Sequence, residues 1–225
     1  MSNAAEVLVL AIHGSPGDPK RAREEFAFLE SGQRPLEILL LSDKALTVGQ
    51  QLAGITQVHP GAALTVAPFL LGAGFHYQHD LLPALREQPG VRLLELFGRS
   101  DPFLQALNAA LTEHAPRDHD QSLIWLVPGG AAVCEDLRAG LAALRPDLTA
   151  RSRWFPLIKP QPPVELKPGA TGLPLIAVLR DGRIAATLTA AWPGILKPRL
   201  LFEPRHLKTA MLSWTALPQP ALTAV

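Results

Sequence analysis

Two histidines that follow apolar runs are the residues of this sequence best suited to chemistry. His13 comes directly after the run at 6–12, and His76 comes after an apolar run and the glycine-containing loop at 72–74. A neutral imidazole binds first-row divalent metals and exchanges protons near neutral pH. Glycines allow the backbone to approach a ligand closely. The pattern indicates a metal or acid–base site, although a histidine beside a loop is more often structural.

The composition restricts the classes of protein to which the chain can belong. Its 225 residues are 48% apolar and 18% charged, which indicates a globular protein with a sizeable core. A net charge of +1 argues against a nucleic-acid binder. The single cysteine, Cys134, excludes an intrachain disulfide, a multi-cysteine zinc site and a self-contained iron–sulfur cluster. Because no signal-peptide pattern and no membrane-spanning apolar run is present, we expect a cytoplasmic protein with no membrane partner.

Strands and helices are predicted to alternate through the first half, and this order positions both histidines. Nearly continuous apolar runs are typical of parallel strands that are buried on both faces. Such sheets bind ligands at the carboxyl ends of their strands, where His13 and His76 follow the first and third strands. We therefore expect both side chains to reach one cleft. The predicted strands are 6–12, 36–41, 63–70 and 91–97, and the predicted helices are 19–30, 45–58, 77–87 and 101–114.

The same order begins again in the second half. The predicted strands there are 122–127, 151–158 and 173–179, and helices are predicted at 134–144, from 184 and at 206–212. The pattern predicts an α/β protein of two Rossmann-like lobes, 1–117 and 118–225, each a parallel sheet flanked by helices and related by internal duplication. The second lobe is degenerate because Pro128 stands at the counterpart of His13. One metal site is therefore expected, in the first lobe.

Two short motifs carry a family resemblance. The first follows a buried strand and reads His13-Gly14-Ser15, with Asp18-Pro19 opening a helix. The second has the spacing Pro68-x-Leu70-Leu71-x-x-Gly74-x-His76-x-x-x-Asp80-x-x-Pro83. Together they resemble the sirohydrochlorin chelatases of the small class II chelatase group. The likeness covers about residues 6–115 and, weakly, the second half, as in two-lobed members built from a repeated chelatase-like unit.

The resemblance implies a metal chelatase, a lyase that inserts Co²⁺ or Fe²⁺ into sirohydrochlorin for cobalamin or siroheme synthesis. The divalent metal ion is then a substrate, the partner is a carboxylate-rich tetrapyrrole, and no organic cofactor is expected. The resemblance assigns catalysis and metal binding to His13 and His76, with Asp43 as a further metal ligand. The residues that it places against the tetrapyrrole are Ser15, Gly74 and Phe75.

The sequence departs from the family pattern at two positions. Members often have a glutamate at the end of the second strand, where this chain has Ser42 followed by Asp43. A shift of one residue at a strand end can turn a side chain away. Phe75 stands where a smaller residue is common, which would narrow the cleft. The alternative function is therefore a non-catalytic protein that binds a tetrapyrrole or metal on the chelatase scaffold.

The other histidines are less suited to a metal site, and other classes of protein match the sequence less well. His79 lies three residues after His76 and is read as a solvated helix residue, with an auxiliary ligand as the alternative. Histidine phosphatases place an arginine directly before the first His-Gly, whereas this chain has Ile12. An interaction module without catalysis, the choice of metal, the exact tetrapyrrole and the oligomeric state stay open. The remaining histidines have no partner at a recognisable spacing and are read as surface residues; they are 59, 114, 119 and 206.

Overall fold

Two four-stranded parallel sheets with flanking helices make up this protein in the computed structural model. The structure describes residues 6–13, 19–31, 34–43, 45–114, 122–157, 172–179, 186–187, 189–190 and 198–216. These form two compact units: one runs to Phe97 and takes in Thr215 and Ala216, and the other is Gly98–Trp214. The predicted α/β class with two parallel sheets is confirmed. Within the described ranges, every helix is too short or too polar to cross a bilayer.

The first sheet is built around its first strand. Its strands are β1 (Glu6–Ile12), β2 (Leu36–Leu40), β3 (Ala63–Phe69) and β4 (Arg92–Leu93), in the order β2-β1-β3-β4 with every pair parallel. Every residue from Val7 to Ile12 is at most 1% exposed. A strand with neighbours on both sides and cover on both faces has no polar side, which explains the continuous apolar run in its sequence.

Helices α1 (Pro19–Phe26), α2 (Val48–Val58) and α3 (Leu82–Arg86) accompany the first sheet. α2 begins three residues later than the sequence predicts because Thr47 caps it. The Thr47 hydroxyl accepts from the Gln50 N–H at 3.2 Å, and the Gln50 side chain accepts from the Thr47 N–H at 2.9 Å. The Gln51 amide bonds both the N–H and the carbonyl of Leu40, each at 2.9 Å. These bonds fix α2 against the carboxyl end of β2.

β4 is much shorter than the predicted strand at 91–97. Arg92 and Leu93 pair with β3, and a 3₁₀ turn follows at Phe97–Arg99. Leu94, Leu96 and Phe97 are nevertheless at most 2% exposed. The prediction of a longer strand was wrong because a short apolar run indicates only that its residues are buried. Buried residues need not pair with a neighbouring strand.

The second sheet repeats the topology of the first. Its strands are β5 (Leu123–Pro128), β6 (Ser152–Leu157), β7 (Leu173–Ile176) and β8 (Arg199–Leu200), in the parallel order β6-β5-β7-β8. In each sheet the first strand in sequence lies second in space, between the second and third strands. The same strand order in both halves is what the predicted internal duplication requires.

The helices given by the described residues of the second unit include α4 (Asp101–His114), α5 (Ala131–Leu144), α6 (Pro146–Ala150) and α7 (Pro204–Ala216), whose last two residues are counted with the first unit. Trp125 of β5 is fully buried and stacks on Trp154 of β6, with ring centroids 4.7 Å apart and planes 8° from parallel. The Trp125 indole N–H donates to the Ser152 hydroxyl at 2.9 Å. Aromatic stacking and aliphatic burial therefore hold this sheet together.

Candidate functional site

His13 lies at the carboxyl edge of the first sheet because it directly follows β1. Its predecessor Ile12 pairs with Leu40 of β2 on one side and with Phe69 of β3 on the other. The Leu41 N–H donates to the Ile12 carbonyl at 3.0 Å. The segments that leave β2 and β3 therefore start beside His13, as the parallel order predicts.

His76 opens a π-helical turn, His76–Leu81, which leads into α3. In this turn the Leu82 N–H donates to the Tyr77 carbonyl five residues back, one residue further than in an α-helix. The preceding loop is held closed by the Gln78 side chain, which donates to the Ala73 carbonyl at 2.9 Å, and by the Gln78 N–H, which donates to the Gly74 carbonyl at 3.1 Å. Both hydrogen bonds join Gln78 to the residues just before His76, so they fix this end of the loop.

The structure brings His13 and His76 together. Their ring centroids lie 4.9 Å apart and their planes are inclined by 75°. His76 is half-buried, and His13 is exposed as a whole residue. Because a metal–imidazole bond is about 2.1 Å long, two rings at this separation can contribute to one coordination sphere. The predicted convergence of the two histidines on one edge agrees with this geometry.

Asp80 lies against His76 on the side of its Nδ1 atom. The Nδ1 and Asp80 Oδ2 atoms are 2.6 Å apart, and the two side chains are 34% and 36% exposed. A carboxylate can only accept, so Nδ1 carries the hydrogen of this contact, and in the neutral ring the lone pair is on Nε2. A carboxylate on the far nitrogen fixes the orientation of an imidazole and raises its basicity as a ligand. Sequence reasoning assigned Asp80 only to the helix start, although the spacing of four residues was a usable signal for this pair.

The pKa of His13 is lowered from its ordinary value. Partial desolvation of the ring is the larger cause, and the neighbouring His76 ring is the smaller one. Exposure of the residue as a whole does not contradict this, because one side of the ring faces His76 while another faces water. A lowered pKa keeps the His13 imidazole neutral near pH 7, so that it can bind a metal or accept a proton.

Phe75 forms an exposed aromatic surface beside His76 and His79. Its side chain is 68% exposed, which is unusual for a phenylalanine in this protein. Its ring lies 5.7 Å from the His76 ring at 87° and 4.6 Å from the His79 ring at 32°. His79 is exposed, in agreement with its reading as a solvated helix residue. An exposed aromatic ring beside imidazole rings can stack on a flat, unsaturated ligand.

The other predicted site residues have different surroundings. Asp43 lies just beyond β2, and its Oδ1 accepts from the Ala45 N–H at 2.8 Å. Gly74 is half-buried in the loop before His76, and Ser15 lies outside the described residues. Within the described ranges, no third histidine, cysteine or carboxylate ligand atom joins His13 and His76 in a group whose atoms all lie within 4.8 Å. The described site is therefore a pair of imidazoles, one of them oriented by a carboxylate.

Two histidines that the sequence analysis read as unpartnered surface residues have partners. His59 Nε2 lies 2.9 Å from Oε1 of Glu37, and His206 Nε2 lies 3.2 Å from Oε1 of Glu113. The His206 side chain is only 8% exposed. The surface reading was wrong for His206. The partners of both histidines are 22 and 93 residues away along the chain, beyond any local spacing rule, so no signal in the sequence pointed to these contacts.

Comparison with known proteins supports the architecture. No protein-family model and no curated protein matches the chain. Among solved structures, the chain is similar to SirB from Bacillus subtilis with Fe3+, with a TM-score of 0.54 and 19% sequence identity. The match covers 93% of this chain and 94% of the SirB chain. At this identity the likeness establishes a shared two-lobed, chelatase-like α/β fold.

Proposed function

We propose that this protein is a metal chelatase that inserts a divalent metal ion, Co²⁺ or Fe²⁺, into a carboxylate-rich tetrapyrrole of the sirohydrochlorin type. The observation that carries the proposal is the pair of imidazoles at the carboxyl edge of the first sheet, with ring centroids 4.9 Å apart. Similarity in fold to SirB, whose structure was determined with Fe3+, supports metal handling by this scaffold.

Both histidines are proposed to bind the metal before its transfer to the tetrapyrrole. His76, oriented by Asp80, presents Nε2 as a metal ligand. His13, whose lowered pKa keeps it neutral, supplies the second nitrogen. A coordination sphere with two protein nitrogens leaves positions open, so the pyrrole nitrogens of the substrate can take over the metal one after another.

Metal insertion also releases protons. A divalent metal replaces two pyrrole N–H protons, which must pass to acceptors at the site. Once the metal has left the two histidines, the His13 ring and the Nε2 atom of His76 can each accept one of the two protons, and His13 can release its proton to water on its exposed side. Both steps need an imidazole that is unprotonated near neutral pH, which is the form that the environment of His13 favours.

The remaining predicted site residues have proposed roles around the substrate. Phe75 would place its exposed ring against the face of the macrocycle, and Gly74 and Ser15 would border the same cleft. Among the described residues, Asp43 does not group with the two histidines, so it would have to turn toward the metal on binding and would use Oδ2, because Oδ1 accepts from the Ala45 N–H. We also propose that residues 1–117 form the lobe with the metal site and 118–225 its degenerate repeat.

The test is an insertion assay with purified protein, sirohydrochlorin, and either Co²⁺ or Fe²⁺. We expect the absorption bands of the tetrapyrrole to shift in a metal-dependent way, at a rate that His76→Ala lowers at least about 100-fold because a ligand and proton acceptor are lost. His79→Ala is the matched control, since it removes an exposed imidazole from the same turn. Binding of tetrapyrrole or metal with no insertion at any concentration would favour the non-catalytic alternative.

A further inference from the structure

A second set of metal-ligating side chains lies in the unit Gly98–Trp214. One carboxylate oxygen of Glu113, one ring nitrogen of His114 and one carboxylate oxygen of Glu203 lie within 4.8 Å of one another. Glu113 and His114 end α4, and Glu203 directly precedes α7. We propose that these three residues bind a first-row divalent metal ion. Nitrogen and oxygen donors together suit Zn²⁺, Co²⁺ or Ni²⁺, whereas Mg²⁺ prefers oxygen ligands alone.

One ring nitrogen of His114 is buried. This atom, Nε2, has no hydrogen-bond partner among the described residues. Buried polar atoms nearly always have a partner, so an unpartnered one calls for an explanation. A coordinated cation that holds the imidazole in a fixed tautomer would account for it, and two carboxylates beside the ring make a cation the suitable ligand.

Arg205 holds the two carboxylates in the absence of a metal. Its guanidinium lies 2.7 Å from Oε2 of Glu113 and 3.1 Å from Oε2 of Glu203. The Arg205 side chain is 65% exposed, so it can turn into water without leaving a buried charge behind. An exposed ion pair of this kind contributes little to stability. Arg205 is therefore a competitor that a divalent ion can displace.

His206 holds the two ligand-bearing segments together. Its Nδ1 accepts from the Glu203 N–H at 3.3 Å, so the ring hydrogen is on Nε2, which donates to Oε1 of Glu113 at 3.2 Å. The same contacts lower the pKa of Glu113, with the His206 hydrogen bond as the largest cause and the charge of Arg205 as a smaller one. Hydrogen bonds that hold the ligands in place are a usual feature of protein metal sites.

The Glu113 side of the proposed site borders a cleft. This cleft of about 410 Å³ lies between α4 and α7, and Glu113, Arg205 and His206 form part of its wall. The rest of the wall consists mainly of small side chains, among them Ala106, Ala109, Ala210 and Ser213. Of the three proposed ligands, Glu113 lines this cleft, so water can reach the metal from the Glu113 side and take an open coordination position.

Titration with Co²⁺ tests this proposal, because the visible absorption bands of the ion report on its ligands. The full chain carrying His13→Ala and His76→Ala serves as background, which separates this site from the one proposed above. We expect that background to bind one Co²⁺, and His114→Ala or Glu203→Gln to weaken binding at least about tenfold. Glu135→Gln is the control, since it removes the charge of an exposed glutamate of α5.

Arg205→Met gives a result that a folding defect cannot imitate. It removes the competing guanidinium, so we expect it to tighten Co²⁺ binding and to leave the visible spectrum unchanged. Thermal unfolding of each variant without metal shows whether the chain is folded. Absence of Co²⁺ binding in the background, equal affinities in His114→Ala, Glu203→Gln and Glu135→Gln, or weaker binding in Arg205→Met would each overturn the proposal.

Discussion

The Nδ1 atom of His76 lies 2.6 Å from Oδ2 of Asp80, four residues further along the same helical segment. This contact determines which nitrogen of His76 faces the cleft, because a carboxylate accepts and cannot donate. The ring that the sequence marks as a metal ligand thus has a fixed tautomer before any metal arrives.

Asp80→Asn tests the role of this contact. Asparagine keeps the size of the side chain but removes its charge and can present an N–H to the ring, so His76 loses its preferred tautomer. We expect Co²⁺ affinity to fall about 10- to 100-fold, with thermal stability little changed. The matched control is Glu87→Gln, which removes an exposed carboxylate just after α3. Equal Co²⁺ affinities in the two variants would contradict the role given to Asp80.

The pKa of His13 should respond to its neighbour. His76→Ala removes one of the two causes of the lowered pKa, so the pKa of His13 should rise. It should stay below the ordinary value of about 6.5, because desolvation is the larger cause. The measurement is an NMR titration of the imidazole ring protons in both proteins. A fall in the His13 pKa on removal of His76 would refute the assignment.

The same shift has a consequence for stability. In the window just below pH 6.5 the unfolded chain takes up a proton at His13 while the folded chain does not, so protonation favours unfolding. His13 therefore makes the free energy of unfolding decrease as the pH falls through this window. Its nitrogen also stays available to metal at a lower pH than that of an ordinary histidine.

Phe75→Ala separates a binding role from a structural one. Because the side chain is 68% exposed, its removal should change the free energy of unfolding by no more than about 0.5 kcal/mol. Loss of aromatic stacking should weaken tetrapyrrole binding about 3- to 10-fold, measured by fluorescence quenching or absorption titration. Val58→Ala, which truncates a side chain that is 70% exposed, is the control. Tetrapyrrole affinity that is unchanged in Phe75→Ala would argue against contact with the macrocycle.

The proposed role of Asp43 as a metal ligand can be tested without disturbing the turn in which it lies. Asparagine can still accept from the Ala45 N–H through its side-chain oxygen, so Asp43→Asn preserves the local structure and removes the charge. If Asp43 is the third metal ligand as proposed, Co²⁺ affinity should fall at least about tenfold. Glu30→Gln, which removes a partly exposed carboxylate elsewhere in the same unit, serves for comparison. Identical Co²⁺ affinities in Asp43→Asn and Glu30→Gln would show that Asp43 is not a metal ligand.

Features that depend on burial and alternation were predictable from the sequence. The apolar run at 6–12 indicated a strand covered on both faces, and the parallel order placed His13 and His76 at one edge. The length of β4 was not predictable, because Leu96 and Phe97 are buried although they lie beyond the end of the strand. Neither was the partnership of His206 with Glu113, since it joins α4 and α7 across 93 residues.

The π-helical turn at His76–Leu81 changes the directions in which the residues before and after it point. An α-helix advances about 100° per residue, so the additional residue of a π-turn rotates everything before it relative to everything after it. Leu81 and Ala84 can therefore face the core while His76, on the other side of the turn, faces the cleft edge. Deletion of one residue within 77–79 would restore a regular α-helix. His76 would then be rotated by about 100° about the helix axis, away from His13. The wide turn is what lets one short helix serve the core and the candidate site at the same time.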